Sequence, residues 1–138
     1  MIQSPPFPLE KIWIRERGRI DPDKIAVVDG SENVTFQKLF EHAACRADQL
    51  KTLGILRGDV IAAFLPNTLF AVEIFHAVHL CGATLLPLNL RLTASEISFQ
   101  VKETRAKILI AGEKKFISLA REVSGNSEFA TRLVIDSE

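Results

Sequence analysis

The sequence predicts an α/β fold, a parallel sheet with helices on both faces. Three observations point there. From residue 60 onward, strand-like and helix-like segments alternate, the order of successive β-α-β units with right-handed crossovers. Val60–Leu65 is a continuous apolar run, as expected of a strand covered on both sides. Between Val60 and Leu90 the only formal charge is Glu73. A stretch so poor in charge belongs in a protein core. Its longest uncharged part, Ile74–Leu90, has 17 residues and includes His76, His79, Gly82 and Pro87. A membrane span needs ~20 apolar residues, so no span is expected.

The elements follow in order. Residues 1–8 are a Pro-rich lead-in. Leu9, Ile12, Trp13 and Ile20 mark one face of a helix over Leu9–Arg19. Asp21-Pro22-Asp23 stops it, because the residue before a proline avoids helical backbone angles. Ile25–Asp29 and Val34–Phe36 are short β-type runs around Gly30-Ser31-Glu32-Asn33, which reads as a hairpin. Phe36–Leu53 is an amphipathic helix with Phe36, Leu39, Phe40, Ala43, Ala47, Leu50 and Leu53 on its apolar side. Gly54 stands at its C-cap.

Strand Val60–Leu65 leads into Pro66-Asn67-Thr68, where Asn67 or Thr68 caps a helix running to Cys81. Gly82 ends that helix, and a left-handed backbone is expected there. Thr84–Leu88 is the next strand. Thr93-Ala94-Ser95-Glu96 matches a capping box and opens a helix to about Thr104. Lys107–Ala111 is a strand, Glu113–Val123 a helix and Leu133–Asp136 a last strand. Gly125-Asn126-Ser127 is a turn, and no internal boundary divides residues 1–138.

Length and charge set limits. A chain of 138 residues fits one domain and can bury a real core. Seventeen basic residues balance 17 acidic ones, which gives no electrostatic footprint for nucleic acid. Two cysteines, Cys45 and Cys81, exclude a disulfide scaffold; both read as small helix residues. The start, MIQSPPFPLEK, lacks a basic n-region and an apolar h-region, so a cytoplasmic location is expected.

In a doubly wound sheet, ligands sit beyond the carboxyl ends of the strands. Here those ends are Pro66-Asn67, Asn89-Leu90-Arg91, Ala111-Gly112 and Asp136-Ser137. The glycines that let backbone N–H groups approach a phosphate are missing from the first two, and neither G-x-G-x-x-G nor a Walker loop occurs. Arg91 stands just after a strand. Its planar fork suits a phosphate or a carboxylate, and its plainer reading is a solvated arginine before a helix cap. His42 with Cys45, and His76 with His79, are i, i+3 pairs, but they lack the compact ligand spacing of zinc motifs, so no metal site is expected. Glu73, His76 and His79 read as the solvent edge of a mostly apolar helix. Asp21 and Asp23 read as turn and capping residues. From the residues alone, this is a parallel α/β domain with no visible active site.

A resemblance extends the reading. RIDPDKIAVVDG at 19–30, VTFQKL at 34–39, GDVIAAFLPN at 58–67, HLCGATLLPLN at 79–89 and LRLTASEISFQVKETRAKILI at 90–110 stand in one order and spacing. Together they resemble the N-terminal part of the adenylate-forming ligases: acyl- and aryl-CoA synthetases, luciferases and peptide-synthetase adenylation domains. The resemblance covers about residues 9–136. It implies a partial three-layer sheet, the N-terminal portion of that ligase fold. It also implies a parent enzyme that uses ATP, Mg2+ and coenzyme A to turn a carboxylic acid into an acyl-adenylate and then a thioester.

That family's equipment is a phosphate loop ending in Pro-Lys-Gly, an aromatic-Gly-x-Thr-Glu segment, a ribose-binding aspartate and a lid lysine. Neither of the two motifs occurs here, and neither the aspartate nor the lysine can be assigned to this chain. The resemblance therefore implies a fragment with no catalytic residue of its own, no strong cofactor binding, and a phosphate loop shortly after Glu138. Only Arg91, in the Pro-Leu-Asn-x-Arg phrase, maps onto a position that approaches the CoA nucleotide in some related ligases. Asn-x-Arg-Leu followed by Thr-x-x-Glu is similar to o-succinylbenzoate–CoA ligases of menaquinone synthesis, with fatty and aromatic acyl-CoA synthetases as close variants. A stand-alone binding module and an interaction domain are the rival classes.

The resemblance also places strand 132–136 beside segments of a larger sheet. Exposed strand edges pair with other chains, so the isolated chain is expected to self-associate. Light scattering across a concentration series checks this: a chain that stays monomeric throughout removes the expectation.

Overall fold

A computed structural model describes residues 12–125 and the strand Arg132–Ile135, the latter by its backbone. The chain begins with helix α1 (Trp13–Ile20), the hairpin β1 (Ile25–Asp29) and β2 (Glu32–Thr35), and the long helix α2 (Phe36–Thr52). It continues through β3 (Val60–Phe64), α3 (Leu69–Leu80), β4 (Thr84–Pro87), α4 (Ala94–Thr104) and β5 (Ile108–Ala111). A single 3-10 turn, Lys114–Phe116, leads into α5 (Ile117–Gly125), and β6 (Arg132–Ile135) closes the order.

The main sheet is parallel, with the strand order β4-β3-β5-β6. Ile61, Ala62, Ala63 and Phe64 pair in register with Ile108, Leu109, Ile110 and Ala111. Strand side chains alternate between faces, so this run feeds two cores. Ile61, Ala63, Ile108 and Ile110 join a cluster with Ile14, Leu39, Ala43, Ala47, Ile74 and Val78 from α1, α2 and α3. Ala62, Phe64, Leu109 and Ala111 join a second cluster with Ile97, Val101, Ala120 and Val123 from α4 and α5. The result is three layers, helices–sheet–helices, as the apolar run predicted.

The local readings are sharpened in places. The hairpin loop is tighter than expected: Asp29 pairs with Glu32, leaving Gly30 and Ser31 as a two-residue turn with Gly30 at φ +60°. Phe36 belongs to α2 rather than to the strand, because Thr35 caps the helix by accepting the Lys38 N–H at 3.3 Å. The expected Glu113–Val123 helix divides into the 3-10 turn and α5. The expected helix start at Leu9 and the end of the last strand at Asp136 lie outside the described residues.

Helix ends follow one pattern. α2 and α3 close with paired bonds of the Schellman type: Gly54 N to Lys51 O and Ile55 N to Leu50 O, then Gly82 N to His79 O and Ala83 N to Val78 O. α4 closes in the same way around Arg105, a non-glycine at φ 52°. At the amino end of the sheet, Lys107 Nζ donates to Gly54 O at 2.7 Å and to Asp59 Oδ2 at 2.9 Å. Asp59 Oδ2 also accepts the Leu56 N–H at 2.7 Å. The Lys107 hydrogen bond, and after it the Leu56 N–H, hold the Asp59 carboxyl below the usual carboxylate range.

Two predictions follow from these ends. Gly82 sits at φ +65°, and a Cβ there meets Arg57 Cγ at 3.1 Å. Gly82→Ala is expected to cost ~1 kcal/mol or more, read as a lower denaturation midpoint. Asp59 has a lowered folded pKa, so its contribution is present above the unfolded pKa and lost as pH falls through the folded one. Asp59→Asn is expected to flatten the acid limb of a stability–pH curve and to leave its neutral-to-alkaline shape unchanged.

Candidate functional site: a crevice at the carboxyl ends of β3 and β5

Strand order locates the site. The chain leaves β3 toward β4 on one side, and leaves β5 toward β6 on the other. The loops after β3 and β5 therefore diverge, which is the switch point where open α/β sheets hold ligands. A crevice of about 730 Å³ opens there. Its floor comes from Gly112 at the end of β5, its walls from α2 and α3, and its rim from the hairpin and from Glu113-Lys114-Lys115.

The floor depends on a missing side chain. Gly112 N donates to Phe64 O at 3.0 Å. A Cβ on Gly112 would lie 2.8 Å from Phe64 O and 3.3 Å from the Phe70 ring. Backbone cannot give way as a flexible side chain can, so this loop takes a glycine for reasons of approach.

One wall holds a buried charge. Glu73, on α3, is 6% exposed and is the one charged residue in the buried set among the described residues. Its carboxylate is shared across the α2–α3 contact. Oε1 accepts from His42 Nδ1 at 2.8 Å, and Oε2 accepts from Arg46 Nε at 3.2 Å. The Arg46 guanidinium also lies 4.9 Å from the centre of the Phe70 ring, a cation–π placement. The carboxylate accepts both bonds, so His42 carries its proton on Nδ1.

The same wall is capped from afar. The expected cap of α3 was the side chain of Asn67 or Thr68. Thr68 does hold the N-cap position, but its side chain makes no cap bond. Asp29 Oδ2 instead accepts the Leu69 N–H at 2.7 Å, 40 residues away along the chain. The hairpin is thereby tied to the mouth of the crevice, and a carboxylate sits at a helix N-terminus, where the helix dipole favours it.

Several charges of the crevice are engaged within the chain, while Glu32 and Lys114 line it as well. Asp29 is engaged by α3, Glu73 by His42 and Arg46, and Glu113 by Lys115 at 2.6 Å. The Gly112 N–H is committed to Phe64 O.

Arg91 is exposed in the turn Asn89–Leu92 at the carboxyl end of β4. Its backbone N–H donates to Asn89 Oδ1 at 3.0 Å, and Leu92 N donates to Asn89 O at 3.2 Å. The capping box then follows as read: Glu96 N to Thr93 Oγ1 at 3.4 Å, and Thr93 N to Glu96 Oε2 at 2.9 Å. Arg91 is on the crevice's end of the sheet but outside its lining.

The solvent edge expected on α3 holds for His79, which is exposed, and is corrected for Glu73, with His76 partly covered. Glu73 is buried against α2, His76 stacks on Trp13 with ring centres 5.8 Å apart, and His79 Nδ1 contacts Phe75 O at 2.7 Å. No group of three potential metal ligands forms among the described residues. Cys45 is exposed at the crevice wall, whereas Cys81 is buried and donates to Ala47 O at 3.5 Å. Burial pushes the Cys81 thiol up, so it is an inert packing group. The sequence carried one unused signal for the crevice: a lone carboxylate in a long apolar stretch needs a partner.

Comparison with known proteins follows. The sequence model of the family described as AMP-binding enzyme matches residues 14–138. The 2-succinylbenzoate–CoA ligase of Geobacillus sp. (strain WCH70) is 37% identical over 119 residues, which is 86% of this chain and 23% of that protein. The enzyme of the same name from Listeria monocytogenes serotype 4b is 32% identical over 126 residues, 91% of this chain and 26% of that one. The solved o-succinylbenzoate coenzyme A synthetase from Bacillus subtilis in complex with AMP superposes with a TM-score of 0.78 at 27% identity, over 90% of this chain and 31% of that chain. A putative long-chain-fatty-acid CoA ligase from Rhodopseudomonas palustris gives 0.81 at 26% identity, over 91% and 32%. The chain spans about a quarter of the length of the curated relatives it matches.

The buried pair gives an ordered prediction. Arg46→Met leaves Glu73 buried with a single partner and is expected to cost ~3 kcal/mol, as for other broken buried pairs. Glu73→Gln leaves Arg46 and His42, which are partly exposed and which water can reach, and is expected to cost ~1 kcal/mol. Chemical denaturation of both variants checks the order, and the reverse order refutes the account.

Proposed function

The chain belongs to the AMP-binding enzyme family, and on that premise we propose that it forms the N-terminal part of an ATP-dependent acid–CoA ligase. The observation that carries this is the match to acid–CoA ligases along most of the chain, at 37% identity for one of them. The proposed reaction has two steps. A carboxylate oxygen attacks the α-phosphorus of ATP, and pyrophosphate leaves. The thiol of coenzyme A then attacks the acyl carbon, and AMP leaves. A carboxylate is a poor electrophile; adenylation gives it a leaving group.

The proposed acid is 2-succinylbenzoate, the acid in the names of the curated relatives quoted above. A fatty acid is the second reading, supported by the likeness to the Rhodopseudomonas protein named for long-chain fatty acids. The proposed role of this chain is structural and peripheral: it supplies the sheet and one wall, and the residues that cradle MgATP belong to other parts of the enzyme. A cytoplasmic location is proposed with it. No described helix is long and apolar enough to cross a membrane.

Arg91 is proposed to hold the nucleotide end of coenzyme A. Two features support this. The Asn89 side chain fixes its backbone, and its exposed guanidinium has no ion-pair partner among the described residues. A planar fork of N–H donors suits phosphate.

The experiment is a graft. Residues 12–125 replace the aligned segment of a curated relative, and AMP release is measured with 2-succinylbenzoate and with fatty acids. Turnover with 2-succinylbenzoate is expected, and background is expected from the 138-residue chain alone. Arg91→Ala in the graft is expected to raise the KM for coenzyme A roughly tenfold, the worth of one charge-assisted hydrogen bond. Pyrophosphate exchange, which reports the first step, should not change. A folded graft that releases no AMP with any acid refutes the ligase reading, and an unchanged KM refutes the role of Arg91.

A further inference from the structure

A second cavity, of about 550 Å³, opens away from the crevice, beside the segments that lead into the amino ends of β3 and β4. Its walls are Trp13 and its neighbours on α1, and Phe75, His76 and His79 on α3. Its base is Gly82-Ala83, and Arg57 stands at its edge. Three properties set it apart.

First, it presents a cluster of aromatic rings to solvent. The Trp13 and His76 rings lie 5.8 Å apart and within 20° of parallel. Phe75 meets His76 edge-on at 5.3 Å and lies 4.6 Å from His79. Trp13 remains 56% exposed and Phe75 48% exposed. Aromatic surface of this kind usually packs inward, and large exposed apolar patches mark binding sites.

Second, its charge has one sign. Among the described residues, no carboxylate lines the cavity. Arg57 makes no side-chain hydrogen bond or ion pair among the described residues, and its stem crosses Gly82, where the absent side chain leaves room. Burial, with His79 adding to it, holds His76 below the usual histidine range, so His76 is a neutral hydrogen-bonding ring at pH 7. Arg57 is therefore the fixed charge of the site. Third, its volume falls within the roughly 300–1,000 Å³ of small-molecule sites, which are mostly apolar with a few placed polar groups.

We propose that this cavity binds a small planar apolar anion, its ring stacked on the Trp13–His76 platform and its carboxylate paired with Arg57. The pairing needs both halves. The platform supplies stacking and burial of apolar surface, and the guanidinium fork supplies a matched partner for the charge. An acid without a ring gains only an exposed ion pair, which is worth little. A neutral ring leaves Arg57 without its partner. The site lies apart from the crevice and does not depend on the proposed ligase reaction.

Trp13 is the only tryptophan of the chain, so its indole N–H is a single reporter inside the site. The 138-residue chain, labelled with 15N, is titrated with cinnamate, with cinnamyl alcohol, which has the same skeleton but no charge, and with acetate. A saturable shift of the indole resonance is expected with cinnamate, binding roughly tenfold weaker with the alcohol, and no saturable shift with acetate. Arg57→Gln changes an exposed side chain; it is expected to keep the dispersed amide spectrum and to bind both ring compounds equally. Absence of a saturable cinnamate shift, or equal binding of cinnamate and the alcohol by the unaltered chain, overturns the proposal without recourse to the variant. So does a folded Arg57→Gln that keeps the preference. An indole resonance that moves with protein concentration alone puts a second copy on the platform and also overturns it.

Discussion

The structure depends on the pairing of β3 with β5. Ile61 to Phe64 lie in register with Ile108 to Ala111, and all eight of these residues are buried. A strand pair buried on both faces requires a helical layer on each, because the alternating side chains deliver apolar surface both ways. Ile61 and Ala63 call for α1, α2 and α3, while Ala62 and Phe64 call for α4 and α5. Small residues matter here as much as large ones. Ala62 and Ala63 let the helices approach the sheet, and Phe64 stacks on Phe116 with ring centres 5.6 Å apart, filling the space toward α5. The same pairing fixes where the chain diverges, since β4 lies beyond β3 and β6 beyond β5. Fold and crevice therefore share one cause.

What was legible in the sequence is what is local. The capping box of Thr93 and Glu96 was visible because its partners are three residues apart, and Gly82 was visible because a helix that ends in a left-handed residue selects glycine. The strand order was not legible, because β-α-β grammar gives handedness and not which strand lies in the centre. Nor were the two ties that shape the crevice. Asp29 reaches Leu69 across 40 residues, and Glu73 reaches His42 across 31. Periodicity placed Glu73 with His76 and His79 on one helix, but cannot say which neighbour faces each of them. α2 turned the first inward, α1 received the second, and the third stayed at the surface. Gly112 read as an isolated glycine; its reason is Phe64 O, a neighbour only after the sheet forms.

The two cavities differ in a way that bears on what each can do. At the carboxyl ends, several charges of the crevice are engaged: Asp29 on a helix end, Glu73 with His42 and Arg46, Glu113 on Lys115. Those pairs would have to break before their members met a ligand. At the other cavity, apart from the crevice, Arg57 is a cation with no competing carboxylate among the described residues, set beside exposed rings. Arg91 combines the two situations. It stands at the crevice's end of the sheet, yet it is exposed and outside the engaged network. Its backbone is held by Asn89 while its fork extends into solvent, so the order of the turn precedes any ligand. That combination of a held backbone and an exposed guanidinium is the observation behind the role proposed for Arg91.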